Sequence, residues 1–391
     1  MEFLGNYILD IKFGDTIVPI SPQMIQELSV TLDIDRLVPT FHLRVKDATC
    51  LLGEIMPFDK ETSQVTLRFS RTDTSDNLNE FQLVVKRRRP LADRTYDIEG
   101  VLAVDNLFTP LKTRALTGNI KTSLEQIATD ELGISELEVG ASLNYEKTIL
   151  QPSWTNAFLF RYLRDRLVGK SDEGCFYCFV KNIKGSPVFG FKSIDELFLS
   201  PIQYKFIIGA NPFEDFYPVS DYRIFDNSQL LSSFSGKDEQ YKYFDYTAGE
   251  YKSSSVQLSD CPALSEFYLL DEDDDTDINI VRSFGHSNAF TGNFQGEVRN
   301  SYFHQATNFI HMWISTWGLE NISPGDIVQV LFAEALTQGS MFIFQHSGFW
   351  MVKRAVHILS ASFMTNILLT RCGIDTDLDN SLTQSKQARK I

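Results

Sequence analysis

Nowhere in this 391-residue chain does an apolar run approach the roughly 18 to 20 residues that a membrane-spanning helix needs. The first residues place Glu2 and Asp10 where a secretory leader wants positive charge, so neither export by that route nor stable membrane insertion is expected. Cysteine is scarce: the five residues Cys50, Cys175, Cys178, Cys261 and Cys372 are odd in number and scattered. That pattern argues against a disulfide framework and for reduced thiols and assembly in a cytoplasm. Basic residues are outnumbered, 36 Lys and Arg against 51 Asp and Glu, for a net charge of -15. Tight nucleic-acid binding is disfavoured by that balance, although an acidic surface can still guide DNA by failing to hold it. Also missing are the G-x-S-x-G, H-E-x-x-H, P-loop and dinucleotide glycine patterns, so no catalytic, cofactor-binding or metal residue is assigned.

What is present is an ordinary folded composition, 43% hydrophobic and 22% charged, on a length that suits two to four compact units. Aromatic residues stand out, with 31 Phe, 14 Tyr and 4 Trp spread through many short stretches. Aromatics favour the half-buried faces of strands, which points to a mainly β chain with antiparallel sheet.

From Asn6 to Asp105 the alternation predicts six strands: Tyr7–Phe13, Leu28–Ile34, Thr40–Val45, Gln64–Phe69, Glu80–Val85 and Arg94–Leu102. Residues 1–105 are read as a first β-barrel. Residues 106–202 change character and are read as a mixed helix and strand domain. Thr122-Ser-Leu-Glu125 fits a capping box opening a helix through Leu124, Ile127, Ala128 and Leu132, with Gly133 as its terminating glycine. A second helix, capped by Ser153, carries Trp154, Phe158, Tyr162 or Leu163, and Leu167 at helical spacing. Cys175–Val180 and Val188–Phe191 then flank the turn Lys184-Gly-Ser-Pro187 as a hairpin.

Strands return at Tyr204–Ile208, Asp221–Phe225, Tyr241–Tyr246 and Glu250–Leu258, and again at Trp313–Leu319, Asp326–Phe332, Met341–Gln345, Gly348–Leu359 and Phe363–Arg371. Residues 203–258 and 313–373 are assigned to a second β-barrel. Residues 259–312 form an insert with an acidic run and a helix carrying Tyr302 or Phe303, Ala306, Phe309 or Ile310, and Trp313. The polar tail 374–391 is read as an arm that orders on a partner.

Pro324-Gly-Asp326 followed by an alternating strand, and Gly348-Phe-Trp-Met-Val-Lys-Arg-Ala-Val-His357 in a later hairpin, resemble the closing strands of phage tail baseplate hubs. The same pattern resembles late control protein D and the N-terminal hub part of type VI secretion VgrG. The helix opening at Pro152-Ser-Trp-Thr155 before an aromatic hairpin looks like the middle of those hubs. The resemblance covers nearly the whole chain in the order barrel, mixed unit, interrupted barrel. It implies two tube-like barrels per chain and a homotrimer that adapts a hexameric tail tube to a trimeric central spike. It further implies a structural virion protein of the tail baseplate, assembled in the host cytoplasm and without enzymatic activity. Implied partners are a spike protein, expected as a separate polypeptide, a tail-tube protein, and tape-measure or other baseplate proteins, with DNA only in transit. The rival readings are a tail-associated cell-wall hydrolase and a tail-tube or distal-tail subunit.

Several residues invite a site and receive a blander reading. Cys175 and Cys178 have C-x-x-C spacing, but residues three apart on a strand face opposite ways and no second ligand pair follows, so both are read as core thiols. Asp271–Asp277 alternates carboxylates, yet Thr276 and Arg282 stand where a calcium loop wants Gly and Glu. Lys86–Arg89 ends a strand before Pro90, as a charged end that discourages edge pairing or touches a neighbour's acidic surface. His304 and His311 share a helical face without a placed carboxylate, and His357 is expected to pack or bond locally.

Overall fold

A computed structural model of the chain describes residues 3–4, 7–14, 16–17, 24–48, 50, 52, 63–72, 78–171, 173–209, 214–226, 239–245, 250–256, 261, 282–284, 291–333 and 346–371. The strand expected at Met341–Gln345, the acidic run 271–277 and the arm 374–391 lie outside these residues. The fold is mainly β.

The N-terminal strands are β1 (Phe3–Leu4), β2 (Tyr7–Phe13), β3 (Thr16–Ile17), β4 (Ile25–Asp33), β5 (Thr40–Lys46), β6 (Gln64–Arg71), β7 (Asn79–Pro90) and β8 (Thr95–Leu102). Alternation does the work: Phe41, Leu43 and Val45 of β5, and Val65, Leu67 and Phe69 of β6, are buried while their neighbours face outward. The long strands lie in the order β2-β6-β7-β8-β5-β4, antiparallel throughout, with two-residue β1 and β3 flanking β2.

The middle of the chain holds β9 (Lys112–Leu116), helix α1 (Ile120–Gln126), β10 (Glu136–Val139), β11 (Ile149–Trp154), helix α2 (Asn156–Arg166), β12 (Phe176–Ile183), β13 (Ser186–Ser193) and helix α3 (Ile194–Phe198). Both expected caps shift by a few residues. Asn119, not Thr122, caps α1, its side-chain oxygen accepting from the Thr122 amide, so Thr122 sits inside the first turn. Thr155, not Ser153, caps α2 by accepting from the Phe158 amide, because Ser153 belongs to β11 and pairs across to Thr113. The β12–β13 hairpin turns at Lys184 and Gly185, both left-handed, the pair of positive φ angles that a tight two-residue turn requires.

The later strands are β14 (Ile202–Ile208), β15 (Tyr217–Asp226), β16 (Glu239–Asp245), β17 (Glu250–Val256), β18 (Arg282–Phe284), β19 (Ile310–Trp317), β20 (Ile327–Phe332), β21 (Gly348–Leu359) and β22 (Phe363–Arg371), with helix α4 (Thr291–Ala306) before β19. Six of them close a barrel in the order β14-β20-β21-β22-β19-β15, with β15 returning to β14 through Phe206↔Tyr217 and Ile207↔Pro218. The ladders of β14 with β15 and with β20 are parallel, a departure from the antiparallel expectation. Parallel neighbours need long crossovers, and β14 is separated from β20 by the whole excursion through β16–β19. Strands β16, β17 and β18 form a separate three-stranded sheet. Helix α4 ends sooner than its apolar spacing suggests: the Thr307 hydroxyl and the Asn308 amide both bond back to the His304 carbonyl, and Ile310, Met312 and Ile314 alternate as a strand.

The two six-stranded runs share a plan. Counted in chain order within each run, both are laid out 1-4-5-6-3-2. Their fifth strands, β7 and β21, are 12 residues each and bulge at Val85/Arg87 and Val352/Arg354. Their second strands, β4 and β15, bulge near the start at Ile25/Glu27 and Val219/Asp221. Two differences stand: β2 runs antiparallel to β6, whereas β14 runs parallel to β20, and β14 pairs with β15 to close the second run, whereas among the described residues β2 does not pair with β4.

Among the described residues the first run does not close on itself. Its end strand β4 pairs antiparallel with the far half of β21, Leu28–Asp33 against Leu359–Arg354. At that seam the Arg354 guanidinium donates to Asp33 at 2.7 and 2.6 Å, and Asp33 is only 3% exposed. The hairpin β21–β22 therefore serves two cores, with Trp350, Met351 and Ala355 in one and Leu359 and Phe363 in the other.

Removing one partner of such a pair leaves the other charge without its counter-ion. Arg354→Ala is expected to lower unfolding stability by about 2–3 kcal/mol, read from the urea midpoint.

Candidate functional site

Cys175 and Cys178 lie on opposite faces of the hairpin region that divides the molecule: Cys175 packs in the core with Tyr177 and Phe179, Cys178 in the core with Phe176 and Val180. They cannot meet one ligand. Instead Cys175 Sγ sits 3.6 Å from His304 Nδ1, a nucleophile and base pairing by distance alone. Its electrostatics oppose that role, because burial pushes the Cys175 thiol well up and the His304 imidazole down to about 4. Both groups are neutral at pH 7, which is the inert form of a cysteine–histidine pair. His311 does not join it: His304 is on α4 and His311 is on β19, so the shared helical face expected for them does not form.

His357 is 1% exposed and lies at the seam, opposite Val30 of β4, with ring contacts to Phe69 at 5.7 Å and Phe363 at 5.8 Å. Its Nδ1 is 3.3 Å from Thr365 Oγ1. Burial lowers its pKa to about 4, so it is a neutral packing residue. Pro324-Gly-Asp326 forms the turn into β20, with Gly325 left-handed and the Asp326 carboxylate accepting from the Ser323 amide at 2.8 Å. Burial pushes the Asp326 carboxyl up to about 6.

One cluster escaped the sequence reading: His42, Asp97 and Glu99 on β5 and β8 bring ligand atoms within 4.8 Å of one another. Asp97 accepts from His42 Nε2 at 2.6 Å and lies 3.4 Å from Arg44, and Glu99 lies 3.7 Å from Arg87. The guanidinium groups already neutralise the carboxylates, so the arrangement is a half-buried ion network centred on the buried Asp97 and a poor cation site. Only the strand pairing reveals it, since 55 residues separate His42 from Asp97.

Lys86–Arg89 occupies the half of β7 beyond its bulge. Strand β6 stops opposite Val84, so this half has β8 on one side only among the described residues. Lys86, Arg87 and Arg89 are exposed, with Lys86 Nζ 6.0 Å from the centre of the exposed Phe108 ring. A strand edge that no described strand covers, and its exposed charges, are what this surface presents.

No family model matches the sequence, and no curated protein matches it. Solved structures do match in fold. The 43 kDa tail protein of prophage MuSo2 from Shewanella oneidensis aligns at TM-score 0.54 and 12% identity over 94% of this chain and 99% of that one. A tail protein from Neisseria meningitidis aligns at TM-score 0.53 and 9% identity over 95% and 98%. An E. coli type VI secretion component, described as structurally similar to T4 bacteriophage tail proteins gp27 and gp5, aligns at 0.50 and 9% over 94% and 79%. At these identities the likeness is one of fold, shared with phage tail proteins and a type VI secretion component. No helix among the described residues is long and apolar enough to cross a membrane.

A histidine held neutral in the fold binds fewer protons than in the unfolded chain between pH 6.5 and about 4. Its contribution is intact above 6.5 and is lost as pH falls towards 4. His357→Leu is therefore expected to flatten the acid limb of a stability–pH profile, by up to about 3 kcal/mol relative to wild type at pH 4. Urea midpoints at pH 7 and pH 4 measure it, and comparing the two proteins cancels the opposite trend from Asp326.

Proposed function

We propose that this chain is the central hub of a bacteriophage tail baseplate: a structural homotrimer that adapts a hexameric tail tube to a trimeric central spike and encloses the path of the DNA. The observation that carries the reading is the repeated plan of the two six-stranded runs, alike in strand order, in the length of the fifth strand and in the position of their bulges. Two similar modules per chain let three chains present six, which is how closed symmetry matches rings of unlike size. The overall fold, shared over 94–95% of the chain with proteins described as tail proteins, supports the same assignment.

On this reading residues 1–105 supply one tube-like module, and 203–258 with 313–373, apart from the separate sheet that holds β16 and β17, supply the other. Residues 106–202 and the insert 259–312 face the spike, and 374–391 reaches a neighbouring baseplate protein. A net charge of -15 per chain suits a channel through which DNA slides without sticking. The chain is not assigned an enzymatic role, since the cysteine–histidine pair it holds is buried and neutral.

Mass photometry of the purified full chain should give a species of three times 44.6 kDa. A persistent monomer or a six-copy ring would contradict the hub assignment, and measurable digestion of cell-wall material would favour a hydrolase.

A further inference from the structure

Charge is not spread evenly along this acidic chain. Residues 84–91, 106–116 and 147–166 carry ten Lys and Arg and a single acidic residue, Asp165, whereas the whole chain has 36 basic against 51 acidic residues. The fold gathers these three stretches. Lys86 Nζ of β7 lies 6.0 Å from the centre of the Phe108 ring, the Ala157 amide of α2 donates to the Leu107 carbonyl, and Lys112 of β9 pairs with Trp154 of β11. We infer that the surface where they meet is a docking site for a short acidic segment of another protein that also carries large apolar side chains. The site goes beyond the hub reading and does not depend on it.

One half of the surface is apolar. Leu111 is 68% exposed, Phe158 51% and Phe108 43%, and exposed apolar side chains grouped in this way mark a contact surface. Trp154, Phe158 and Tyr162 recur every four residues, and the Trp154 ring centre lies 4.8 Å from each of the other two. Leu111 precedes Lys112, the strand partner of Trp154, and so stands beside the same rings. Arg161, three residues on from Phe158 in α2, borders it on the same side of the helix.

The other half is cationic, and ion pairs leave charge over. Lys112 and Arg114 share one carboxylate, Glu131, while Arg87 has Glu99 and Arg166 has Glu297. Lys86 and Arg161 are exposed, lie next to Phe108 and Phe158, and make no ion pair among the described residues. Complementarity sets the occupant: carboxylates for Lys86 and Arg161, apolar side chains for Phe108, Leu111 and Phe158. A nucleic acid fits less well. Its bases need open ring faces, but Trp154 is tilted against Phe158 at 57° and against Tyr162 at 49°, and the net charge of -15 repels a polyanion. An anionic lipid surface meets the same repulsion, and two copies of the patch face to face would oppose their own cations.

The test uses the purified full chain and a fluorescein-labelled synthetic peptide in which Glu alternates with Leu and Phe, followed by anisotropy. That peptide should bind about tenfold or more tightly than the same peptide with Lys for Glu or with Ser for Leu and Phe. Lys86→Glu with Arg161→Glu, both at exposed positions, should keep the wild-type urea midpoint and weaken binding by about tenfold or more. Phe158→Ser should weaken binding to a similar degree while leaving its salt dependence in place. Unchanged binding by the charge variant, or equal binding of the Ser-substituted peptide, would overturn the proposal. So would equally tight binding of oligothymidylate or phosphatidylglycerol vesicles that the same variants abolish. Loss of self-association in the charge variant would make the occupant a second copy, and tighter peptide binding after the acidic residues of 271–277 are changed to amides would make it the chain's own acidic run. Either result overturns the proposal. Weakened peptide binding with self-association unchanged supports it and leaves the hub reading untouched.

Discussion

The pairing of β4 with the far half of β21 is the constraint on which the rest of the molecule depends. It makes one continuous sheet of two six-stranded runs that are far apart in sequence, and it carries the tip of the β21–β22 hairpin out of its own barrel. That tip completes the first core: Phe363 packs edge-on against Phe69 and Tyr7, and the Tyr7 hydroxyl donates to the Ser360 carbonyl at 2.6 Å. The N-terminal run is therefore built partly from C-terminal residues, and neither module is independent of the other.

Burial also silences groups at the seam and away from it. Groups that elsewhere make reactive sites, a thiol beside an imidazole and a histidine among phenylalanines, are here stripped of charge by burial and used as packing. Where charges are buried they are paired, as Asp33 is with Arg354 and Asp97 is with His42 and Arg44.

Much of this was legible in the sequence. Tyr7–Phe13, Gly348–Leu359 and Phe363–Arg371 are strands with the bounds their alternation predicts, because one face of each meets a core. The helix caps were misplaced since several residues near each start can accept an amide, and only tertiary contacts choose Asn119 and Thr155. The stretch from Phe309 to Trp313 was ambiguous between helix and strand, and its pairing with β15 and β22 decided it. The repeated strand order was invisible, because it is a property of pairing and not of residue type. So was the Asp33–Arg354 contact across 321 residues. Lys86–Arg89 could be singled out from its charge alone, but its place on the half of β7 that lies beyond the described part of β6 could not.

We propose that the two similar modules of one chain let three copies make a six-part annulus. Electron micrographs of the purified oligomer viewed down its axis test it most directly. The account requires three-fold averages with six lobes around a central hole. Averages with three lobes, with six copies, or with no hole would contradict it.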